Sequence, residues 1–203
     1  MPFYKLTYFN IRGRAELTRL TFAAAEAEYE DDRIKRDDWP AMKENTPQGQ
    51  LPTLTVDGVV LPQSLAIARF VAREFGLDGK TNIEKAQTDV VIQTTEDLRS
   101  GWVGVFREKD ETRKAELEKA FHEETVPKFL KLFEGILKTN GTGYFVGNTL
   151  TIADLAVYDV FEILIQKKED ILSEFPLLAK SRKTVESAPG VQKYLSERPK
   201  TDF

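Results

Sequence analysis

"QLPTLTVDGVVLPQS", Gln50–Ser64, decides the fold. Two short apolar runs flank Asp57-Gly58, a dipeptide that closes two-residue hairpins because it accepts their backbone conformation. Pro52 heads the first run and Pro62 ends the second. Proline cannot donate a ladder hydrogen bond, so it is confined to strand starts, ends and edges. Two prolines bracketing so short a hairpin leave nearby backbone groups for a partner that is not protein. Gln63 and Ser64 then open a helix, "QSLAIARFVAREFG", with Leu65, Ala68 and Ala72 on one stripe and Gly76 as its stop.

Upstream, residues 2–9 form an aromatic and apolar run ending at "NIRGR", a strand followed by a tight turn. "RAELTRLTFAAAEAEY" carries Leu17, Leu20 and Ala24 on a helical period. Tyr29–Ile34 suits a second strand, and "RDDWPAMKENTPQG" a loop with a short helix. The order over residues 1–76 is βαβαββα, which predicts an α/β domain with a mixed four-stranded sheet. Residues 77–82, "LDGKTN", read as a linker, and residues 83–203 as an all-helical domain. Within it, 83–108 and 111–138 are long amphipathic stretches. "GTGYFVGN" interrupts, two or three further helices follow, and "RPKTDF" is a loose tail. In "LTIADL" (150–155), Thr151 and Asp154 have capping-box spacing, with Leu150 and Leu155 at the staple positions. Asp154 is therefore read as architecture rather than as a catalytic acid.

Composition narrows the function. The chain has 203 residues, 29 basic and 33 acidic, for a net charge of −4. There is no basic excess of the kind that marks nucleic-acid or membrane-surface binding. No apolar run is long enough to span a bilayer, and "MPFYKLTYF" has no leader pattern, so a cytoplasmic location is expected. The absence of cysteine excludes disulfides, protein thiolates and cysteine-zinc sites. The single histidine, His122, sits in "ELEKAFHEETV" and reads as a partly exposed helix residue, so no metal is expected. There is no GxSxG elbow for a triad to use. Chemistry must then rest on tyrosine, carboxylates, basic residues or a borrowed group.

"KLTYFNIRGRAEL", "DWP..K", "GQLP", "LPQSLAIARFVAREFGL", "GNTLTIADL" and the final "RP..DF" resemble a sigma-class glutathione S-transferase over the whole chain, close to the haematopoietic prostaglandin D synthase branch. The resemblance implies a thioredoxin-like N-terminal domain, an all-α C-terminal domain, a homodimer, and glutathione as the source of the missing thiol.

Tyr8 ends the first strand, at the carboxyl edge where α/β sheets hold ligands. A free thiol titrates near ~8.5, so it is mostly protonated at neutral pH. A phenol donating to the thiolate contributes roughly 1.5–3 kcal/mol, or about one to two pKa units. The resemblance gives Tyr8 that role; core packing is the plainer alternative. Arg14, a cation opposed to the macrodipole at a helix start, needs a partner or a purpose. The resemblance sets it beside the tyrosine as a thiolate stabiliser, while an ordinary ion pair remains open.

A cis bond at Leu51–Pro52 is implied by the resemblance, and would turn the polar groups of Leu51 toward the ligand's cysteinyl backbone, as an added strand. Gln63 and Ser64, at a helix N-terminus, match residues that hold the γ-glutamyl carboxylate, although Ser64 as a plain N-cap would look the same. Trp39, Lys43 and Gln50 match residues that bind the glycine carboxylate. Asp97 matches an aspartate that reaches the neighbouring subunit's glutathione amine.

Phe9, Ile11, Gly13, Arg99, Gly104, Ala156 and Val160 fall where the family lines its electrophile pocket. Here the chain departs from the prostaglandin-isomerase branch, which has a tryptophan at the Gly104 position and an apolar residue at Arg99. That branch also has a metal-associated aspartate where this chain has Gln93. The expected activity is conjugation of glutathione to hydrophobic electrophiles. The alternatives are prostaglandin H to D isomerisation and a weakly active lens-crystallin role, with ligandin-like storage possible beside catalysis.

Overall fold

The computed structural model describes residues 2–201; Asp202 and Phe203 of the expected tail motif lie outside them. The chain divides into two compact units, one of Met1–Asp78 with Glu186–Phe203, the other Gly79–Val185.

The first unit is built on a four-stranded mixed sheet in the order β2-β1-β3-β4. β1 (Tyr4–Phe9) runs parallel to β2 (Glu30–Ile34) and antiparallel to β3 (Thr53–Val56), which pairs with β4 (Val59–Pro62). The hairpin closes as expected, with Asp57 and Gly58 both at positive φ, 46° and 89°. β2 is a charged edge, "EDDRI", with Lys5 of β1 paired to Glu30 at 2.9 Å and Asp32 at 3.2 Å. The helices are α1 (Glu16–Ala24), α2 (Trp39–Lys43) and α3 (Ser64–Glu74). The βαβαββα order expected from the sequence is therefore present. Tyr4, Leu6, Phe22, Leu54, Ile67 and Val71 form the core between sheet and helices.

Helix α1 is shorter than the run Arg14–Tyr29. Gly13–Ala15 is a 3-10 turn before it, and Glu26 leaves helical space at φ 49°. Arg14 therefore lies ahead of the helix, not inside its first turn.

The second unit is helical. α4 (Asn82–Arg107) starts on a capping box in which Glu84 N–H donates to Thr81 Oγ1 at 3.1 Å and Thr81 N–H to Glu84 Oε2 at 3.0 Å. α5 (Glu111–Ala120) and α6 (Val126–Asn140) are joined by a π-helical turn, Phe121–Thr125. The expected single stretch 111–138 is thus one helical path with a π-turn in it. His122 sits on that turn, half-buried, 3.9 Å from Glu118. α7 (Ile152–Lys167) packs on α4, and α8 (Pro176–Glu186) follows. Phe133, Leu98, Leu137, Phe145, Val157, Phe161 and Leu178 belong to the core of this unit.

The capping box of "LTIADL" forms as its spacing predicts. Asp154 accepts from Thr151 N–H at 2.8 Å, Thr151 Oγ1 at 3.0 Å and Phe145 N–H at 2.9 Å. The bond from Phe145 ties the preceding loop to the helix start, as an architectural role requires. Such a cap contributes about 1 kcal/mol.

The boundaries expected from secondary-structure type, 1–76, 77–82 and 83–203, differ from the packing at the C-terminal end. α9 (Pro189–Glu197) packs on α1 and belongs to the first unit. Val191 is fully buried there, Gly190 lets the helix approach the Ala23 carbonyl of α1, and Tyr194 Oη and Arg198 Nη1 donate to Glu16 at 2.9 and 2.7 Å.

Candidate functional site

The strand register gathers the first unit's candidates. Thr7 of β1 lies opposite Thr53 of β3, and Thr53 opposite Pro62 of β4. One residue beyond that row come Tyr8, Pro52 and Gln63, at the same end of three adjacent strands. α3 starts there, and so does the chain leading from β2 to Trp39. Antiparallel pairing thus converts three distant sequence positions into one rim.

Tyr8 is mostly buried, 8% exposed, with its ring 5.6 Å from that of Phe9. Phe9 in turn meets Trp39 edge-on at 6.0 Å. The Tyr8 hydroxyl accepts the backbone N–H of Arg14 at 3.3 Å. One lone pair is so occupied, and the phenolic proton is left to be donated elsewhere. Gly13 makes the approach possible. It has φ 45°, and a Cβ there would stand 2.8 Å from Tyr8 Oη. Gly13, expected on the electrophile side, answers first to this contact. Arg14 itself is an exposed residue, and its backbone N–H meets the hydroxyl.

The Leu51–Pro52 bond is cis. Leu51 lies outside both ladders, whose registers begin at Thr53. Pro52 is buried, and Leu51 half-buried. At the start of α3, Gln63 takes the N-cap place at φ 76° and Ser64 is the first helical residue. The N-cap alternative for Ser64 is thus filled by its neighbour. Gln63 Nε2 donates to Gln48 Oε1 at 2.6 Å, a partner not foreseen from the sequence. Lys43 and Gln50 are exposed, and the Lys43 stem passes beside Gly49, within 3.6 Å of where a Cβ would sit.

In the helical unit, Asp97 is exposed on α4. Arg99 lies two residues on, and its Nη2 meets Asp159 of α7 at 2.5 Å, with Glu96 3.7 Å from its Nε. Ala156 and Val160 are buried on α7 at 1% and 7% exposure, whereas Gly104 is exposed on α4. Phe9 and Ile11 are half-buried on the first unit. Of the expected electrophile set, then, Phe9, Ile11 and Gly13 cluster around Tyr8, and Arg99, Gly104, Ala156 and Val160 lie on α4 and α7 of the helical unit.

Sequence reasoning missed a buried polar cluster behind the Tyr8 turn. Arg19 is fully buried and bonds Asp31 Oδ1 at 3.1 Å and the Ile11 carbonyl at 2.7 Å. Burial alone would weaken its hold on the proton, but Asp31, Tyr194 and Glu16 more than offset this, and its pKa stays above the ordinary value. The phenol of Tyr194 is pushed up by burial and by Glu16. The Glu16/Arg19 spacing of three was the one available signal, and on a helix it reads equally as a surface pair.

A four-stranded βαβαββα unit with a cis-proline at the head of β3, joined to a helical unit, is a thioredoxin-like domain followed by an all-α domain. Comparison with known proteins agrees. Residues 4–73 match the glutathione S-transferase N-terminal domain and 96–198 the glutathione S-transferase C-terminal domain. Glutathione S-transferase 1 of Ascaris suum is 43% identical over 206 residues, covering 100% of both chains. The hematopoietic prostaglandin D synthase of Gallus gallus is 42% identical, with 99% of each covered. The solved structure of monomeric Na-GST-3, a glutathione S-transferase of the hookworm Necator americanus, superposes with a TM-score of 0.90 at 39% identity, over 99% of this chain and 100% of that one. The chain belongs to the glutathione S-transferase family, enzymes that take glutathione as co-substrate. Among the described residues, no helix is long and apolar enough to cross a membrane.

Proposed function

We propose that this enzyme conjugates the thiolate of reduced glutathione to hydrophobic electrophiles, as a cytoplasmic detoxifying transferase of the sigma-like branch. The observation that carries the proposal is the rim: Tyr8, Pro52 and Gln63 stand side by side at one end of β1, β3 and β4.

In this scheme the Tyr8 phenol donates its hydrogen bond to the glutathione sulfur. Its oxygen is held by Arg14 N–H, which makes the O–H a better donor. The thiol proton leaves to solvent, and the thiolate attacks an electrophilic carbon, forming a carbon–sulfur bond as a leaving group departs. Placement of both reactants adds to the rate. Leu51 pairs its main chain with the cysteinyl backbone. Gln63, Ser64 and the start of α3 take the γ-glutamyl carboxylate, for which the eleven-residue helix offers unpaired N–H groups. Lys43, Trp39 and Gln50 take the glycine carboxylate. Residues 1–76 then hold glutathione, and 83–203 supply Arg99, Gly104, Ala156 and Val160 to the electrophile. Two copies associate, and Asp97 reaches the glutathione amine of the partner.

A second reading is glutathione-dependent isomerisation of a prostaglandin endoperoxide. The 42% identity to the avian prostaglandin D synthase favours it, and the pairing of Arg99 with Asp159 weighs against an apolar lipid-binding wall. The test is retention on immobilised glutathione with elution by free glutathione, followed by conjugation of a chloronitrobenzene. Loss of both removes the transferase proposal. Turnover of the endoperoxide without conjugation selects the second reading, and sedimentation as a monomer removes the role of Asp97.

A further inference from the structure

The proposed chemistry uses one side of the Ile11–Arg14 turn, and the buried cluster stands on the other. Arg19 Nη1 donates to the Ile11 carbonyl at 2.7 Å and the Arg12 carbonyl at 3.4 Å. Its Nε donates to Asp31 at 3.1 Å, and Asp31 also accepts from Arg33 at 2.7 Å. The guanidinium carbon lies 5.9 Å from the centroid of the Tyr8 ring. Glu16, 1% exposed, lies 3.5 Å from Arg19 and accepts from Tyr194 and Arg198 of the C-terminal segment at 2.9 and 2.7 Å.

Stability alone is a poor reason for such a cluster, because apolar residues of similar volume are often as stable as a buried ion pair. Geometry is a better one. The two carbonyls that Arg19 grips belong to the residues immediately before Gly13 and Arg14. Those two residues set the Tyr8 hydroxyl: Gly13 by leaving room, Arg14 by its N–H. The planar guanidinium reaches Asp31, both carbonyls and the tyrosine face at once; a lysine ammonium offers no such fork.

We propose that Arg19 is a positioning residue for Tyr8, clamping the Ile11 and Arg12 carbonyls so that Arg14 N–H meets the phenol oxygen, and that Glu16 extends the clamp to Tyr194 and Arg198. The proposal rests on the transferase role assigned to Tyr8. It connects the C-terminal helix to thiol activation through contacts inside one unit.

The experiment compares Arg19→Lys, Tyr194→Phe and Arg198→Gln with wild type and Tyr8→Phe in the full-length enzyme. Each is followed by circular dichroism, by the pH profile of kcat/KM for chloronitrobenzene conjugation, and by the ultraviolet absorbance of the bound glutathione thiolate. In Arg19→Lys the profile should move to higher pH by about half to one unit. That is a loss of about threefold to tenfold near pH ~6.5, recovered above pH ~9, with KM for glutathione nearly unchanged. Tyr194→Phe and Arg198→Gln leave Arg19 in place and should move it the same way by about twofold, so the proposal stays testable if Arg19→Lys does not fold. A merely structural role would lower thermal stability and leave the profile fixed; folded variants with that result overturn the clamp. If Tyr8→Phe raises the thiol pKa while the clamp variants do not, the positioning role fails and the transferase site stands. If Tyr8→Phe also leaves it unmoved, the reading of Tyr8 fails and the clamp with it.

Discussion

Gly13→Ala disturbs the Tyr8 hydroxyl without altering the tyrosine. A Cβ on Gly13 would stand 2.8 Å from Tyr8 Oη and 3.1 Å from Cε1. Comfortable carbon contacts begin near ~3.5 Å, so the turn or the ring must yield by roughly 0.4 Å at Cε1 and by a similar amount at the hydroxyl. The ring has little room, with Phe9 on one side and Arg19 on another. Alanine at φ 45° also carries the cost of a left-handed backbone, about 1–2 kcal/mol. The melting temperature should therefore fall by about 2–8 °C. Misplacement of a reacting group by ~1 Å can cost ~100-fold in rate, so a smaller displacement is expected to lower kcat/KM near neutral pH by about tenfold. Conjugation of a chloronitrobenzene near pH ~6.5 reads the rate effect, and a circular-dichroism melt the stability effect. A Gly13→Ala variant that melts lower yet conjugates at the wild-type rate would refute the reasoning, because the hydroxyl would then not need the place that glycine gives it.

Asp154 gives a pH signature. Burial pushes its carboxyl up to about 6 from 3.8, against the hydrogen bonds from Phe145 and Thr151. A folded-state value above the unfolded one means the folded protein binds the proton more tightly, so this group adds stability as pH falls from about 6 to about 4 and loses it as pH rises. Denaturant titration should show wild type gaining on Asp154→Asn by up to about 3 kcal/mol between about pH 7 and pH 4; a constant or shrinking gap contradicts this. Lys43→Ala removes an exposed charge near the expected glycine carboxylate, so KM for glutathione should rise by about fivefold with kcat unchanged, the size of an exposed ion pair near ~1 kcal/mol. Unchanged KM would remove Lys43 from the site.

The hairpin and the cap were legible because each is a local matter. Asp57-Gly58 and the two prolines specify a turn and two strand ends whatever surrounds them, and Thr151 with Asp154 needs only its own helix. Pro52 and Gln63 could be singled out by chemistry, but their adjacency to Tyr8 is a product of antiparallel register, which only the paired strands express. The Glu16–Arg19 cluster was hidden for a different reason. Its deciding partners, Tyr194 and Arg198, are 178 and 182 residues away from Glu16, and nothing in "RAELTR" distinguishes a buried ion pair from a solvated one. Likewise Arg99 sits on a helix face that pattern can assign, while its partner Asp159 lies 60 residues on, in another helix. The Arg14 N–H bond to the Tyr8 hydroxyl was likewise illegible, since the sequence advertises the charge of Arg14 and not where its main chain points.

The central claim is that the Tyr8 phenol stabilises the glutathione thiolate. Ultraviolet titration of the enzyme–glutathione complex measures it directly. The bound thiol should ionise about one to two units below the ~8.5 of a free thiol in wild type and return most of the way in Tyr8→Phe. A thiol that titrates alike in both proteins would contradict the account.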